Sequence, residues 1–320
     1  MLTMTMKEYL ARPEVSASGL SMILENARKF KLCQEGKINF KSKETDIGEV
    51  FHAKILEPEL YQSMFVLSET IKDSTFELLK VPSQLLHVVD VHHKSCKEFR
   101  QAKEQNPSLT CILPNEWDAL QTLKALSDKI FLSSEDMQLI EQMSEKVSSV
   151  PKFKDFLDAG EKEKVFFGEI NGVKLRIRPD LLVPYKDGHM VFDLKTSRRE
   201  CTKENFAKDS AQNRYFLSEA VYRNVLSQNG INVLDFSYLM VSKVEWSGAD
   251  YFRHNFMSLE QGEKYMYNAI EKFKFCQEND QWLEKDFDFH KKSWIHASEV
   301  MLPTYAFYEF DLMERYEMDH

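Results

Sequence analysis

The sequence predicts an α/β chain, of the α+β kind, whose central unit runs helix, three antiparallel strands, helix, strand. Three observations carry that prediction. Residues 164–197 hold three short β-rich runs, KVFFGEI, GVKLRIRPDLLV and HMVFDLKTS, separated by the hairpin signals NG and KDG. A helical span over 203–229 follows and stops at Gly230, a residue suited to the position just past a helix end. INVLDFSYLMVSKVEW, 231–246, then reads as a further strand.

The flanking elements follow in order. SASGLSMILENARKF, 16–30, opens a helix that Ser16 or Ser18 could cap, and TDIGEVFHAKILEPELY is a short helix ending near Pro58. Residues 68–110 mix apolar and charged side chains without a clean period. NEWDALQTLKALSDKIFLSS and SEDMQLIEQMSEKVSSV, 115–150, carry apolar residues at three- and four-residue spacing and predict a helical pair. SLEQGEKYMYNAIEKFKFCQEN is the last predicted helix, and an aromatic, acidic tail closes the chain. The expected organisation is one domain over 1–285, with core elements at 45–57 and 163–245, a helical insertion over about 68–150, and a tail at 286–320.

At 320 residues and 43% hydrophobic the chain can bury a large core. No apolar run reaches the ~18 residues that span a bilayer. The N-terminus lacks the basic-then-apolar pattern of a secretion signal, which predicts a cytoplasmic protein with no membrane partner. Five cysteines without a CxxC pair predict reduced thiols and exclude a zinc or iron–sulfur knuckle. The net charge of −9 argues against a nucleic-acid partner only at first sight. A nuclease needs positive potential only along the track that holds phosphate, and bound metal neutralises an acidic centre. Basic residues do cluster locally, as in KTSRRE at 195–200, although such runs are also ordinary solvated surface.

The chemistry concentrates in RIRPDLLVPYKDGHMVFDLKTS, 176–197. Strand alternation puts Leu175, Ile177 and Pro179 on one face and Lys174, Arg176, Arg178 and Asp180 on the other. In the next run Val191, Asp193 and Lys195 share a face opposite Phe192 and Leu194. A turn at Lys186-Asp187-Gly188 lays the two side by side, so two carboxylates and an ammonium converge on one sheet edge. Such a set can hold Mg²⁺ through Asp180 and Asp193, with Lys195 positioning or deprotonating the attacking water of a phosphodiester hydrolysis. It can equally be a salt-bridged hairpin, and the spacing alone does not separate the two.

The surrounding residues do. IRPD and DLKT, preceded by the GEVFH helix and followed by YFLSEAVY, resemble the PD-(D/E)xK nuclease superfamily, and within it the exonuclease VIII (RecE-like) family of phage and prophage recombination exonucleases. The likeness spans roughly 15–245. It implies a restriction-endonuclease-like core, a central mixed sheet flanked by helices. It also implies Asp180 and Asp193 as metal ligands, Lys195 as the catalytic lysine, and His52 as a further ligand. From the residues alone His52 could as well be a core histidine. The Leu194 backbone carbonyl is another candidate ligand, since strand edges expose such oxygens. Glu163 is a weaker acidic candidate that could simply be solvated. Arg178, Arg198 and Arg199 are candidate DNA contacts.

In Tyr215–Tyr222 the chain departs from that family, which usually has glutamine where Ser218 stands. Tyr215, Ser218 or Glu219, and Tyr222 fall on one helical stripe. Glu219, Gln212 or a water could replace the missing amide. The resemblance implies a Mg²⁺-dependent exonuclease, with Mn²⁺ expected to substitute, that degrades one strand of duplex DNA from its end, 5′→3′, to give single strands for recombination. A ring-shaped homo-oligomer and a single-strand annealing partner are implied with it. The alternatives are an endonuclease or repair or defence nuclease of the same fold, and a non-catalytic module that binds DNA ends or a partner.

Overall fold

A computed structural model of the protein describes residues 4, 6–38, 43–68 and 129–282. The elements are α1 (Met6–Leu10), β1 (Val15–Ser16), α2 (Ala17–Glu25), α3 (Ala27–Gln34), α4 (Lys43–Leu56), α5 (Pro58–Met64), β2 (Phe65–Leu67) and β3 (Ile130–Leu132). There follow α6 (Ser134–Ser148), α7 (Phe153–Ala159), β4 (Glu161–Lys162), β5 (Phe166–Ile170), β6 (Val173–Ile177), β7 (Leu181–Tyr185) and β8 (Gly188–Ser197). The last are α8 (Lys203–Asn213), α9 (Tyr215–Gln228), β9 (Val233–Ser242), β10 (Ala249–Phe252) and α10 (Phe256–Asn279).

The centre is a five-stranded sheet in the order β10-β9-β8-β7-β4. β8 and β9 run parallel and the other pairs antiparallel, so the sheet is mixed. Its two faces bury separate apolar clusters. Val191, Phe236, Tyr238 and Met240 face α2, α9 and α10, while Phe192, Leu194, Leu239 and Val241 face α4 and α6. That is the period-two alternation of a strand buried on both sides. At the crossing of α9 and α10, a Cβ on Gly262 would stand 2.3 Å from the Phe216 carbonyl oxygen, so only glycine permits so close an approach.

Three predicted elements are each divided in two. GVKLRIRPDLLV is not one strand. Its first half, β6, pairs with β5 and β1 in a separate three-stranded sheet, and its second half, β7, joins the central sheet. Pro179 sits at the division, where it lacks a donor for the ladder and restricts Arg178 before it. The two hairpins form as expected, with Asn171-Gly172 in the first at φ 50° and 82°, the type I′ pattern. The helix over 203–229 breaks at Arg214, which adopts φ 54°, ψ 45° and donates its N–H to Ser210 O. Gly230 does lie just beyond the end of α9, at φ 75°. The helix from Ala17 breaks at Asn26, whose extended backbone ends α2 while its side chain caps α3.

Ser16 is the cap of α2, accepting from Gly19 N. Of the predicted helical pair over 115–150, α6 forms as expected with a Ser133–Asp136 capping box. Ile130–Leu132 is instead a strand, parallel to β2. Most of the first helix and of the expected insertion, and all of the 286–320 tail, lie outside the described residues. Among the described residues no helix is long and apolar enough to cross a membrane. Cys33, Cys201 and Cys276 are free thiols.

Candidate metal centre

The split at Pro179 creates the site. β7 pairs with β8 in the register Leu181↔Phe192, so Asp180, the residue before β7, arrives opposite Asp193. Beyond that point the chain turns off into the other sheet and leaves one edge of β8 open, while β9 continues alongside to Ser197↔Ser242. Asp180 is fixed there by the Leu194 N–H, which donates to its Oδ2 at 2.6 Å. α4 buries Val50 and Phe51 in the core, which turns His52 towards the opening, where its Nδ1 stands 3.6 Å from Asp180 Oδ2. His52 also shares a hydrogen bond with the Leu194 backbone, so the carbonyl expected from the sequence lies at the rim of this group.

Glu163 completes it. Ligand atoms of His52, Glu163 and Asp180 all lie within 4.8 Å of one another. Glu163 is no solvated side chain. Its backbone sits at φ 53°, its N–H donates to Asp180 O at 3.2 Å, and Arg178 Nε donates to its carbonyl oxygen at 3.2 Å. The bonds to Asp180 and Arg178 hold this left-handed backbone in place and turn the side chain inward. Asp193 sits beside the group, sharing a hydrogen bond with Asp180 and accepting one from Lys195 Nζ.

Charge crowding follows from burial. The Glu163 carboxyl is pushed up to about 9, by burial and then by Asp180, against the pull of Arg178. Burial raises Asp180 as well, and takes Asp193 to about 6 in spite of Lys195. His52 is pushed down to about 4, by burial and then by Lys195, so its imidazole is neutral and its lone pair free to coordinate. Burial opposes the Lys195 charge, but Asp193 and Asp180 overcome it and hold the ammonium above its usual range. With all three carboxyls ionised, the Lys195 and Arg178 charges leave the group short of positive charge, Arg178 being shared with Glu57 as well. One hard divalent cation supplies it, and an imidazole with carboxylate oxygens suits Mn²⁺ or Mg²⁺.

The helix stripe divides as follows. Tyr215 faces the site, its ring 5.3 Å from Lys195 Nζ, and Tyr222 reaches it too, donating to Arg178 O at 3.3 Å. Ser218 lies between them on that face, half-buried. Glu219 does not. It is buried on the far side, bound to His254 Nδ1 at 2.8 Å and Arg223 Nε at 2.9 Å, so it cannot stand in for a glutamine at the metal centre. Gln212 is exposed. Arg178 also differs from expectation. It is 6% exposed and bridges Glu57 and Glu163 at 3.0 Å each, which commits it to shaping the site rather than to touching DNA. Glu57, which the sequence pattern did not single out, arrives only through the α4–α5 junction. Arg198 and Arg199 are exposed just past the end of β8, with Arg199 paired to Asp209 at 2.9 Å.

His52→Ala is expected to raise the Mg²⁺ or Mn²⁺ concentration needed for half-maximal stabilisation by about tenfold or more. Thermal melting at a series of metal concentrations measures it. An unchanged metal midpoint with a large fall in melting temperature would make His52 a packing residue only.

The family model of a PDDEXK-like domain of unknown function (DUF3799) matches residues 16–285. Among solved structures, a protein from Eubacterium rectale described as a putative exonuclease is similar with a TM-score of 0.54 and 14% identity, over 94% of this chain and 97% of that one. The structure of SSO0001 is a more distant likeness, with a TM-score of 0.28 and 12% identity over 70% of this chain and 86% of that one. No curated protein matches the sequence.

Proposed function

We propose, for a chain that belongs to the PDDEXK-like DUF3799 family, that it is a metal-dependent deoxyribonuclease, an exonuclease that degrades one strand of linear duplex DNA in the 5′→3′ direction to leave single strands for recombination. The observation that carries this reading is the His52–Glu163–Asp180 group beside the Asp193–Lys195 pair. The described function of the E. rectale protein agrees with it.

His52, Glu163 and Asp180 would hold Mg²⁺ or Mn²⁺, with Asp193 and the Leu194 carbonyl at the rim. The ion, when bound, lowers the pKa of a water and offsets charge on the phosphate. Of the two roles open to Lys195, its surroundings favour orientation over proton abstraction. Its raised pKa keeps it an ammonium, and Asp193 and the Tyr215 ring fix its position, so it can donate to a phosphate oxygen or to the attacking water. Hydrolysis forms a bond from the water oxygen to phosphorus, breaks the bond to the sugar oxygen, and returns a proton to the leaving oxygen. The open edge of β8 leaves room for the strand being cut, and Arg198 and Arg199 beyond it can meet its phosphates. A ring-shaped oligomer and a single-strand annealing partner belong to the same reading.

End-labelled linear duplex DNA incubated with Mg²⁺ should be shortened progressively from one end, with no reaction in EDTA and none on covalently closed circles. Cutting of closed circles would replace the exonuclease by an endonuclease of the same fold. Tight binding without cleavage in Mg²⁺ or Mn²⁺ would make the chain a DNA-binding module.

A further inference from the structure

Past Asp193, β8 runs alongside β9 to Ser197↔Ser242, where the segment after β8 meets the turn joining β9 to β10. Trp246 stands on that turn, 79% exposed. Its position is not that of a loose side chain. The indole Nε1–H donates to Glu200 Oε1 at 2.8 Å, which fixes the ring by its polar edge and leaves its faces to solvent. The turn itself is tied to the segment following β8. Lys243 N donates to Ser197 O at 2.7 Å, Ser242 Oγ to Arg199 O at 2.8 Å, and Cys201 N to Ser247 Oγ at 2.8 Å. From below, Lys146 Nζ donates to Ser242 O at 2.9 Å and Val244 O at 2.7 Å. A tryptophan left uncovered on a braced turn presents a large flat apolar surface that gains from being covered.

We infer that Trp246 is a stacking platform for an unpaired nucleobase of the DNA strand, with Arg198 and Arg199 beside it for the adjoining phosphates. The inference rests on the nuclease reading above and adds a ligand subsite to it. Lys195 lies opposite Met240 on β9, and Ser242 ends that strand, so about 7 Å of strand separates the reacting centre from the turn. That is the length of about two bases at the ~3.4 Å rise of a stacked strand. A base on an indole face needs no sequence-specific donor, because every base has a π-face, which suits an enzyme that must advance along any sequence. Arg198 and Arg199 follow the end of β8 directly, next to Glu200, which holds the indole. Their guanidinium groups, Arg199 paired to Asp209, therefore stand in the segment that a strand reaching the indole would cross.

The test uses the full chain with Ca²⁺ in place of Mg²⁺, so that binding is read without cleavage. The probes are a labelled oligothymidine strand and an abasic strand of the same length. Trp246→Ala should weaken oligothymidine binding on the order of tenfold while leaving abasic binding unchanged, and Trp246→Phe should keep most of the affinity. Oligothymidine should also quench the intrinsic fluorescence of the wild-type chain, and the Phe variant should lose that component, a readout that remains if the Ala variant fails to fold. Equal oligothymidine affinity in wild type and Ala, or quenching that survives in the Phe variant, overturns the platform. If the wild type cleaves no DNA in Mg²⁺ or Mn²⁺ but Trp246 still governs oligothymidine binding, the nuclease reading falls and the base-binding site stands.

Discussion

Lys195→Ala should lower the single-turnover rate of DNA cleavage by at least about 10²-fold, the usual cost of removing one group that stabilises developing charge. Its effect will not be confined to chemistry. Asp193, whose side chain is 8% exposed, accepts from Lys195 and stands against Asp180, so the alanine leaves a buried acceptor with a like charge beside it. A loss of about 1–3 kcal/mol of stability follows in the absence of metal. Its pH dependence has a definite sign. Burial pushes the Asp193 carboxyl up to about 6 even with Lys195 beside it, and loss of the ammonium pushes it further up. A carboxyl raised in the folded state favours folding while protonated, so the deficit should be small at acid pH and grow as pH rises through 6 and beyond. Melting temperatures in EDTA across pH, read beside rates at saturating Mn²⁺, separate the two effects. Cleavage within tenfold of wild type would remove Lys195 from the reaction.

The two acids and the lysine were legible because local rules place them. A two-residue loop at Lys186-Asp187 sets the register of β7 on β8, and that register alone brings Asp180 opposite Asp193. Alternation then turns Lys195 to the same side as Asp193. Pro179 was equally visible, but its consequence was not. A proline in an apolar run can end a strand or lie at an edge, and only the pairing of β6 with β1 and β5 shows that the chain changes sheets there. This change opens the edge of β8 on which the site depends.

The rest was hidden by contacts between residues far apart in sequence. Glu163 stands in GEKEK, whose composition reads as solvated surface, and its burial comes from Arg178 and Asp180 folding over it. Arg178 looked like a phosphate ligand because the pattern places it on the acidic face; Glu57, arriving from α4, claims it instead. The choice between Ser218 and Glu219 turned on helical phase. One residue rotates a helix position by about 100°, and the phase of α9 is set by the left-handed Arg214, which a helical period cannot foresee. Tyr215 and Tyr222 face the site in spite of the break because both lie within the second helix.

Glu163→Gln should stabilise the metal-free protein and cost it most of its response to metal. The carboxyl is raised from 4.5 to about 9 by burial and by Asp180, so the folded state holds its neutral form more strongly than the unfolded chain does. A group shifted in this direction contributes stability that is complete below about pH 4.5 and is lost progressively as pH rises through 9. Glutamine imitates the neutral form at every pH, and its amide oxygen can keep the bond from Arg178. In EDTA the variant should therefore melt close to wild type at pH 5 and at a higher temperature at pH 8, the gain in stability being on the order of a few kcal/mol at most. With Mn²⁺ the order should reverse. The wild type loses its crowding penalty when a cation enters, and binding adds stability as the logarithm of metal concentration over Kd, whereas an amide is a poorer ligand than a carboxylate. The metal-induced rise in melting temperature should thus shrink in the variant and cleavage fall with it. A glutamine variant that gains nothing at pH 8 in EDTA, and responds to Mn²⁺ as the wild type does, would leave Glu163 out of the metal centre and return its left-handed backbone to a purely structural role.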